Sequence, residues 1–239
     1  MRHKFNWVCD SNEARAILDV IRWNFHCAKV PPMILKRLKL ATSASHTALE
    51  DQLPLMRSDL SREEYRQFVG RFFGFYAPLE TQLMASNHWQ LLGFDYAVRQ
   101  KTPRLVQDLV ALGGSAAEVA ATPRCTNLPA LITPEQLLGC LYVIEGATLG
   151  GRIITRQLQT QLGLNPESGG AFFDGYGAQT GPHWKAFCTM LTNIADESRH
   201  GAIVAGANRT FETLTHWLFP TSPPKSQPPI NAAHALQPA

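Results

Sequence analysis

Two stretches of this sequence have the residue types and spacing to do chemistry. The first is His46, with Glu50 four residues later. On a helix that spacing places both side chains on one face, a turn apart. A carboxylate so placed can accept the ring's Nδ1–H, fix the tautomer and leave Nε2 as a metal ligand. His-x-x-x-Glu is not the His-Glu-x-x-His pattern of zinc hydrolysis, so a metalloprotease is not supported. A lone helical histidine is more often an ordinary part-buried residue, and the pair by itself leaves both readings open. The second stretch is Glu145-Gly146-Ala147-Thr148-Leu149-Gly150-Gly151-Arg152, set within an otherwise helical run. Each helix-interior glycine costs about 1 kcal/mol relative to alanine. Gly146, Gly150 and Gly151 therefore need a reason. Either another backbone packs closely against them, which is the commoner case, or a flat ligand lies on a surface free of side chains. A phosphate loop is excluded, because no strand precedes the glycines and no Lys-Ser/Thr ends them. Lys39 and Lys185 could pair with the carboxylates of a ligand, although lysines are usually solvated. Tyr76 could offer a buried hydroxyl to a pocket, although a core tyrosine usually has a local partner.

The elements that must position these groups are helices. Leu35, Leu38, Ala41, Thr42, Ser45 and Leu49 recur at helical steps and predict a helix over about 34–52, with His46 beside its apolar stripe. Ser61-Arg62-Glu63-Glu64 is a capping box. It opens a long aromatic helix through Tyr65, Phe72, Phe73 and Tyr76 to about Met84. Thr102-Pro103 is expected to be the N-cap and first residue of a helix over 103–112, and residues 115–131 are expected to be mostly loop. Thr133-Pro134-Glu135-Gln136 starts a helix that should run past the glycines to about Leu162, ended by Gly163 and Pro166. Gly139, Gly146 and Gly150 would share one face of it. A glycine and aromatic loop follows at Gly169–Gly177, then helices over about 181–199 and 202–218. No strand pairing or internal repeat emerges, so the fold class is all-α in a single domain.

Composition sets further bounds. The 239 residues are 45% hydrophobic and 17% charged, enough for one globular core. A net charge of +3 with no Lys/Arg run gives no support for nucleic-acid binding. No apolar stretch is expected to reach the roughly 18 residues of a membrane helix. No signal-peptide pattern follows Arg2, His3 and Lys4. Five scattered cysteines without a CxxC pair suit reduced thiols, hence a cytoplasmic protein. Residues 1–32 differ from the rest: Glu13–Asn24 could form one amphipathic helix, and Pro31-Pro32 then breaks the chain before Met33. Met33 is the expected functional start and 1–32 an optional extension. A metal site from Cys9, His26 and Cys27 fits no familiar ligand spacing. After Phe219 the chain is Pro-rich and polar, and residues 220–239 are expected to be a disordered tail.

Together these residues resemble a known family. Leu38-Lys39, Ala41-Thr42, His46-Thr47 and Glu50 resemble the proximal helix of heme oxygenases, whose histidine ligates heme iron. Tyr76-Ala77-Pro78-Leu79-Glu80 resembles a segment of that family's next long helix. Glu145 to Gly151 resembles its glycine-rich distal helix, which bends over the heme. The match spans about residues 34–218, in the family's order and spacing. Tyr142 to Gly151, with Phe172-Phe173-Asp174-Gly175-Tyr176-Gly177, is most similar to bacterial heme oxygenases associated with bacteriophytochromes. The resemblance implies a heme oxygenase-like domain over 33–219, with heme as both cofactor and substrate, cleaved with O₂ and electrons to biliverdin, ferrous iron and CO. Electrons would come from a ferredoxin or flavin reductase, and a bacteriophytochrome could accept the product. His46 would be the iron ligand, oriented by Glu50. Gly146, Gly150 and Gly151 would face the heme, Lys39 and Lys185 its propionates, and Phe211 the pocket wall. Tyr76 would join a distal hydrogen-bond network. Many members carry an Asp where this chain has Ala147, and some an Arg where it has Val143, so that network would rest on backbone and Tyr76. The alternatives are a heme-binding or sensing protein on the same fold, or a helical interaction protein whose glycines serve packing.

Overall fold

A computed structural model describes residues 32–220, and among these it is built of helices and turns without a strand. The predicted extension helix and the Cys9, His26 and Cys27 idea lie outside the described residues, as does the C-terminal tail from residue 221. The helices are α1 (Met33–Glu50), α2 (Arg62–Met84), α3 (Trp89–Leu92), α4 (Thr102–Ala111), α5 (Ala116–Ala121), α6 (Pro134–Gly146), α7 (Gly151–Leu162), α8 (Ala171–Asp174), α9 (Thr180–Ile194) and α10 (His200–Leu218). The central unit is α6 packed along α10, and α1 also packs against α10.

Local chemistry explains most boundaries. Ser61 accepts from the Glu64 N–H and the Glu64 carboxylate accepts from the Ser61 N–H, so the expected box starts α2. Thr133 and Gln136 make the same exchange at α6. Pro78 sits inside α2, where it cannot donate to the Gly74 carbonyl. The Cys125 N–H donates to that carbonyl instead, at 2.9 Å. The helix thus tolerates its proline because a crossing loop takes over the freed acceptor.

Five expectations change. Residues 115–131 are not all loop: Ser115 and Glu118 form a third capping box and start α5. Thr102 does not cap α4; it lies within the helix, with Pro103 after it, and the Thr102 N–H donates to Glu80 at 2.9 Å. A buried carboxylate takes over the capping role there, which side-chain spacing cannot show. The helix expected over 181–199 spans Thr180–Ile194, then passes through a separate 3₁₀ turn, Glu197–Arg199, capped by Asp196. The helix expected to run unbroken from 134 to 162 is two helices, joined by a 3₁₀ turn at Ala147–Gly150. Taken as one unit, Pro134–Leu162 is long and apolar enough to cross a membrane by composition, contrary to the sequence expectation. Half of its most apolar window is buried inside the protein, so it is the core element of the helical packing.

Candidate heme-binding cavity

The glycines of α6 and α7 divide by function. A methyl on Gly139 would overlap the Ile203 carbonyl oxygen and come to 2.5 Å from the Ala207 nitrogen on α10. Gly206 on α10 faces the Gln136 Cα in the same crossing. These glycines let two helix backbones touch. Gly151 is also a packing residue, since a methyl there would overlap the Phe173 carbonyl oxygen. Gly151 was expected to face a ligand, but it is buried against the α8 backbone and does not line the cavity. Gly150 is the reverse case: a methyl there would have no neighbour within 4 Å. At Gly146 the first contact would be the Trp184 ring, at 3.7 Å. Both Gly146 and Gly150 line a cavity of about 260 Å³, and the 3₁₀ turn between them carries the backbone along its wall.

The facing wall is α1. Thr42 and Leu49 anchor this helix in the core, and Lys39, Ser43, His46 and Glu50 turn one side of it to the cavity. His46 Nδ1 lies 3.1 Å from Glu50 Oε2. With Nδ1 held by the carboxylate, Nε2 is the uncommitted nitrogen of the ring. Phe211 of α10 packs edge-on to the imidazole, at 5.8 Å between centroids, and also lines the cavity. Phe72, Tyr76, Phe172 and Phe173 close one end. Their rings interlock: Tyr76 meets Phe172 at 5.3 Å and Phe72 meets Phe173 at 5.7 Å. Tyr76 is buried, and that burial raises its hydroxyl pKa far above the ordinary value, so it stays protonated.

The aromatic wall is held from behind. The Tyr65 hydroxyl donates to the Gly169 carbonyl at 2.7 Å. The N–H groups of Ala171 and Phe172 donate to the two oxygens of Asp108 at 2.8 Å. Gly169, at φ 125°, supplies the left-handed turn that brings these amides round. Burial raises the Asp108 carboxyl to about 6, against the pull of the two amides.

One functional cluster has no counterpart in the sequence reading. Beside Gly146, the buried Glu145 carboxylate pairs with Arg99 at 2.6 Å and with Lys101. The Tyr176 hydroxyl lies 2.9 Å from both the Glu145 carboxylate and the Lys101 ammonium. Glu80 accepts from the Tyr96 hydroxyl and from the N–H groups of Lys101 and Thr102. Burial pushes the Glu145 carboxyl up, but Lys101 and Arg99 hold it below its ordinary value. Burial also lowers the Lys101 pKa, with Glu145 opposing. A charged residue directly after the apolar run from Leu137 to Ile144 was the available signal. Its partners come from a linking segment some 44 residues earlier and could not be read from spacing.

Lys39 is exposed on the cavity lining, where an anionic ligand end could reach it. Lys185 is not there. It lines a separate shallow depression with Leu92 and Pro182 on the outer side of α9. Its neighbour Trp184 points into the cavity, and the helical step between adjacent residues carries Lys185 outward.

The heme oxygenase family model matches residues 33–219. The chain belongs to the heme oxygenase family. A heme oxygenase of Xanthomonas campestris pv. campestris (strain 8004) is 33% identical over 107 residues, which is 44% of this chain and 59% of that protein. The chain thus aligns with less than two thirds of that curated relative. Among solved structures, heme oxygenase from Leptospira interrogans superposes with a TM-score of 0.65 at 19% identity, covering 77% of this chain and 98% of that one. Heme oxygenase-2 from Synechocystis sp. PCC 6803, in complex with heme and NO, gives 0.64 at 20% identity, covering 77% and 83%. At these identities the structures establish the shared all-α fold.

Proposed function

We propose that this chain is a heme oxygenase that binds heme in the cavity between α1 and the Gly146–Gly150 turn. The carrying observation is the pairing of opposite walls: an imidazole with one committed nitrogen faces a stretch of glycine backbone with open space at Gly150. The donor set fits heme. Among the described residues no cluster of His, Cys, Asp and Glu could hold a metal ion without a macrocycle. His46 is then the metal ligand, Glu50 its orienting partner, and Lys39 the cation for a propionate. Bound heme supplies the oxygen-activating chemistry, and its own ring is the substrate opened to biliverdin, iron and CO.

The protein's residues bind, orient and exclude water. Glu50 fixes the imidazole tautomer, so Nε2 presents a lone pair. Phe72, Phe172, Phe173, Phe211 and Leu214 give an apolar wall that would keep bulk water from a bound macrocycle. Gly146 and Gly150 leave a wall without side chains, against which a flat macrocycle would fit. The Tyr76 hydroxyl remains a neutral donor at neutral pH. The proposed catalytic unit is residues 33–219, with electrons from a ferredoxin or flavin reductase. A bacteriophytochrome as product acceptor and a cytoplasmic location complete the reading.

Hemin titration tests it. The expected outcome is a Soret shift on binding, then Soret loss and bilin absorption on adding O₂ and a reductant. A stable Soret band under those conditions leaves a heme-binding protein, and absence of any shift refutes heme binding. His46→Ala should abolish the native ligation, and an unchanged ferric spectrum would reject His46.

A further inference from the structure

The ammonium groups on the cavity lining, among the described residues, are Lys39 and Lys101. Lys39 is on α1 and exposed. Lys101 precedes α4 and is buried, with 3% of its side chain exposed. Its Nζ has three donors. The described residues take two of them, Glu145 Oε1 and the Tyr176 hydroxyl oxygen. The rings of Tyr96 and Tyr176 lie 5.4 Å away at their centroids, close enough for charge attraction but too far to accept an N–H directly. Among the described residues, one N–H of a buried cation therefore has no acceptor, in a residue that lines the cavity. Buried donors are seldom left so, because an unmet one costs its full desolvation.

Three hydroxyls of the lining donate to helix carbonyls. Thr42 donates to the Leu38 carbonyl at 2.8 Å, Ser43 to the Leu40 carbonyl at 3.1 Å, and Thr148 to the Glu145 carbonyl at 2.6 Å. Ala147 has no donor on its side chain. On the α6 side of the cavity the supply of charged donors comes down to Lys101, tied through Glu145 to the residue before Gly146.

We infer that Lys101 is a further site residue for the reaction: its third N–H holds a water or an anionic ligand on the α6 side of the cavity. This rests on the heme-binding reading above. It adds a charged donor on that side of the cavity to the neutral hydroxyl of Tyr76. The groups facing Lys101 are Glu80 from α2, and Cys140 and Glu145 from α6. Tyr176 faces it from the turn before α9, His183 from α9 itself, and Tyr96 and Arg99 from its own segment. Arg99 and Lys101 stand against Glu80 and Glu145, two cations against two carboxylates, so a neutral water is the ligand that leaves this balance unchanged.

Fluoride affinity of the ferric heme complex is the test, because fluoride is small, anionic and held by distal hydrogen-bond donors. Lys101→Met should weaken fluoride binding on the order of tenfold at fixed pH, and Lys101→Arg should recover part of it. The ferrous CO complex of Lys101→Met should show a raised C–O stretch, which a merely structural role would not move. If Lys101→Met does not fold, Lys101→Met with Glu145→Gln keeps the cluster neutral and takes its place. Unchanged fluoride affinity and C–O stretch in a folded, heme-loaded variant would overturn the Lys101 assignment alone. Absence of a Soret shift in the native protein would overturn the heme reading and this inference with it.

Discussion

Two regions of the α6–α7 unit carry glycines for opposite reasons. At Gly139 and Gly151, backbone of α10 and of α8 fills the space where a side chain would be. At Gly150, and more loosely at Gly146, that space belongs to the cavity. The residue type is the same and the helix cost is the same, but the benefit differs: protein packing at one pair, room for a ligand at the other. The contrast extends to the neighbouring charges. Glu145 faces the protein and is locked by Arg99, Lys101 and Tyr176, whereas the His46–Glu50 pair on the cavity wall stays about one-third exposed. Packed positions should therefore cost stability when changed, and cavity positions should cost ligand.

The largest effect is expected at Glu145. Glu145→Ala leaves Arg99 and Lys101 buried without their shared carboxylate, and should cost about 3–5 kcal/mol in denaturant unfolding. A loss below about 1 kcal/mol would show that the cluster is not structural. Gly139→Ala should follow, at about 3 kcal/mol, because the atoms in the way are backbone and cannot rotate aside. Gly150→Ala should stay within about 1 kcal/mol of the native protein yet weaken hemin binding. If Gly150→Ala unfolds the chain while Gly139→Ala does not, the division between the two pairs is wrong.

A third effect is pH-dependent. The Asp108 carboxyl rises from 3.8 to about 6 in the folded chain. Between those values the folded state holds more protons than the unfolded state, so this group's contribution makes stability fall as pH rises from about 4 to about 6. Asp108→Asn removes that slope, and the variant should gain relative to the native protein by about 2–3 kcal/mol across the window. Parallel stability-versus-pH curves for the two proteins would reject the role of Asp108 burial. The smallest stability effect belongs to Glu50→Gln. As one partner of a part-exposed pair it should cost under about 1 kcal/mol, while changing the ferric heme spectrum through the His46 ring. An unaltered spectrum would show that Glu50 does not orient the ligand.

How much was legible depended on range. Ser61 with Glu64 and Thr133 with Gln136 bond within one turn, so their helix starts could be read directly. His46 and Glu50 are likewise a local pair, and the structure places them at 3.1 Å. The break at Ala147–Gly150 was missed because glycine is permissive and the periodicity continues across it. Lys185 was misplaced because helical step decides facing only once a neighbour, here Trp184, is known to be buried.

The sequence by itself determined the all-α class, the starts of α2 and α6, the His46–Glu50 pair and the glycine stretch, because each depends on contacts within a turn or on periodicity. Only the tertiary structure decided which glycines pack and which face the cavity, and that Arg99, Lys101 and Tyr176 converge on Glu145. Those outcomes depend on which distant backbone or charge occupies the adjacent volume, and one-dimensional spacing does not carry that quantity.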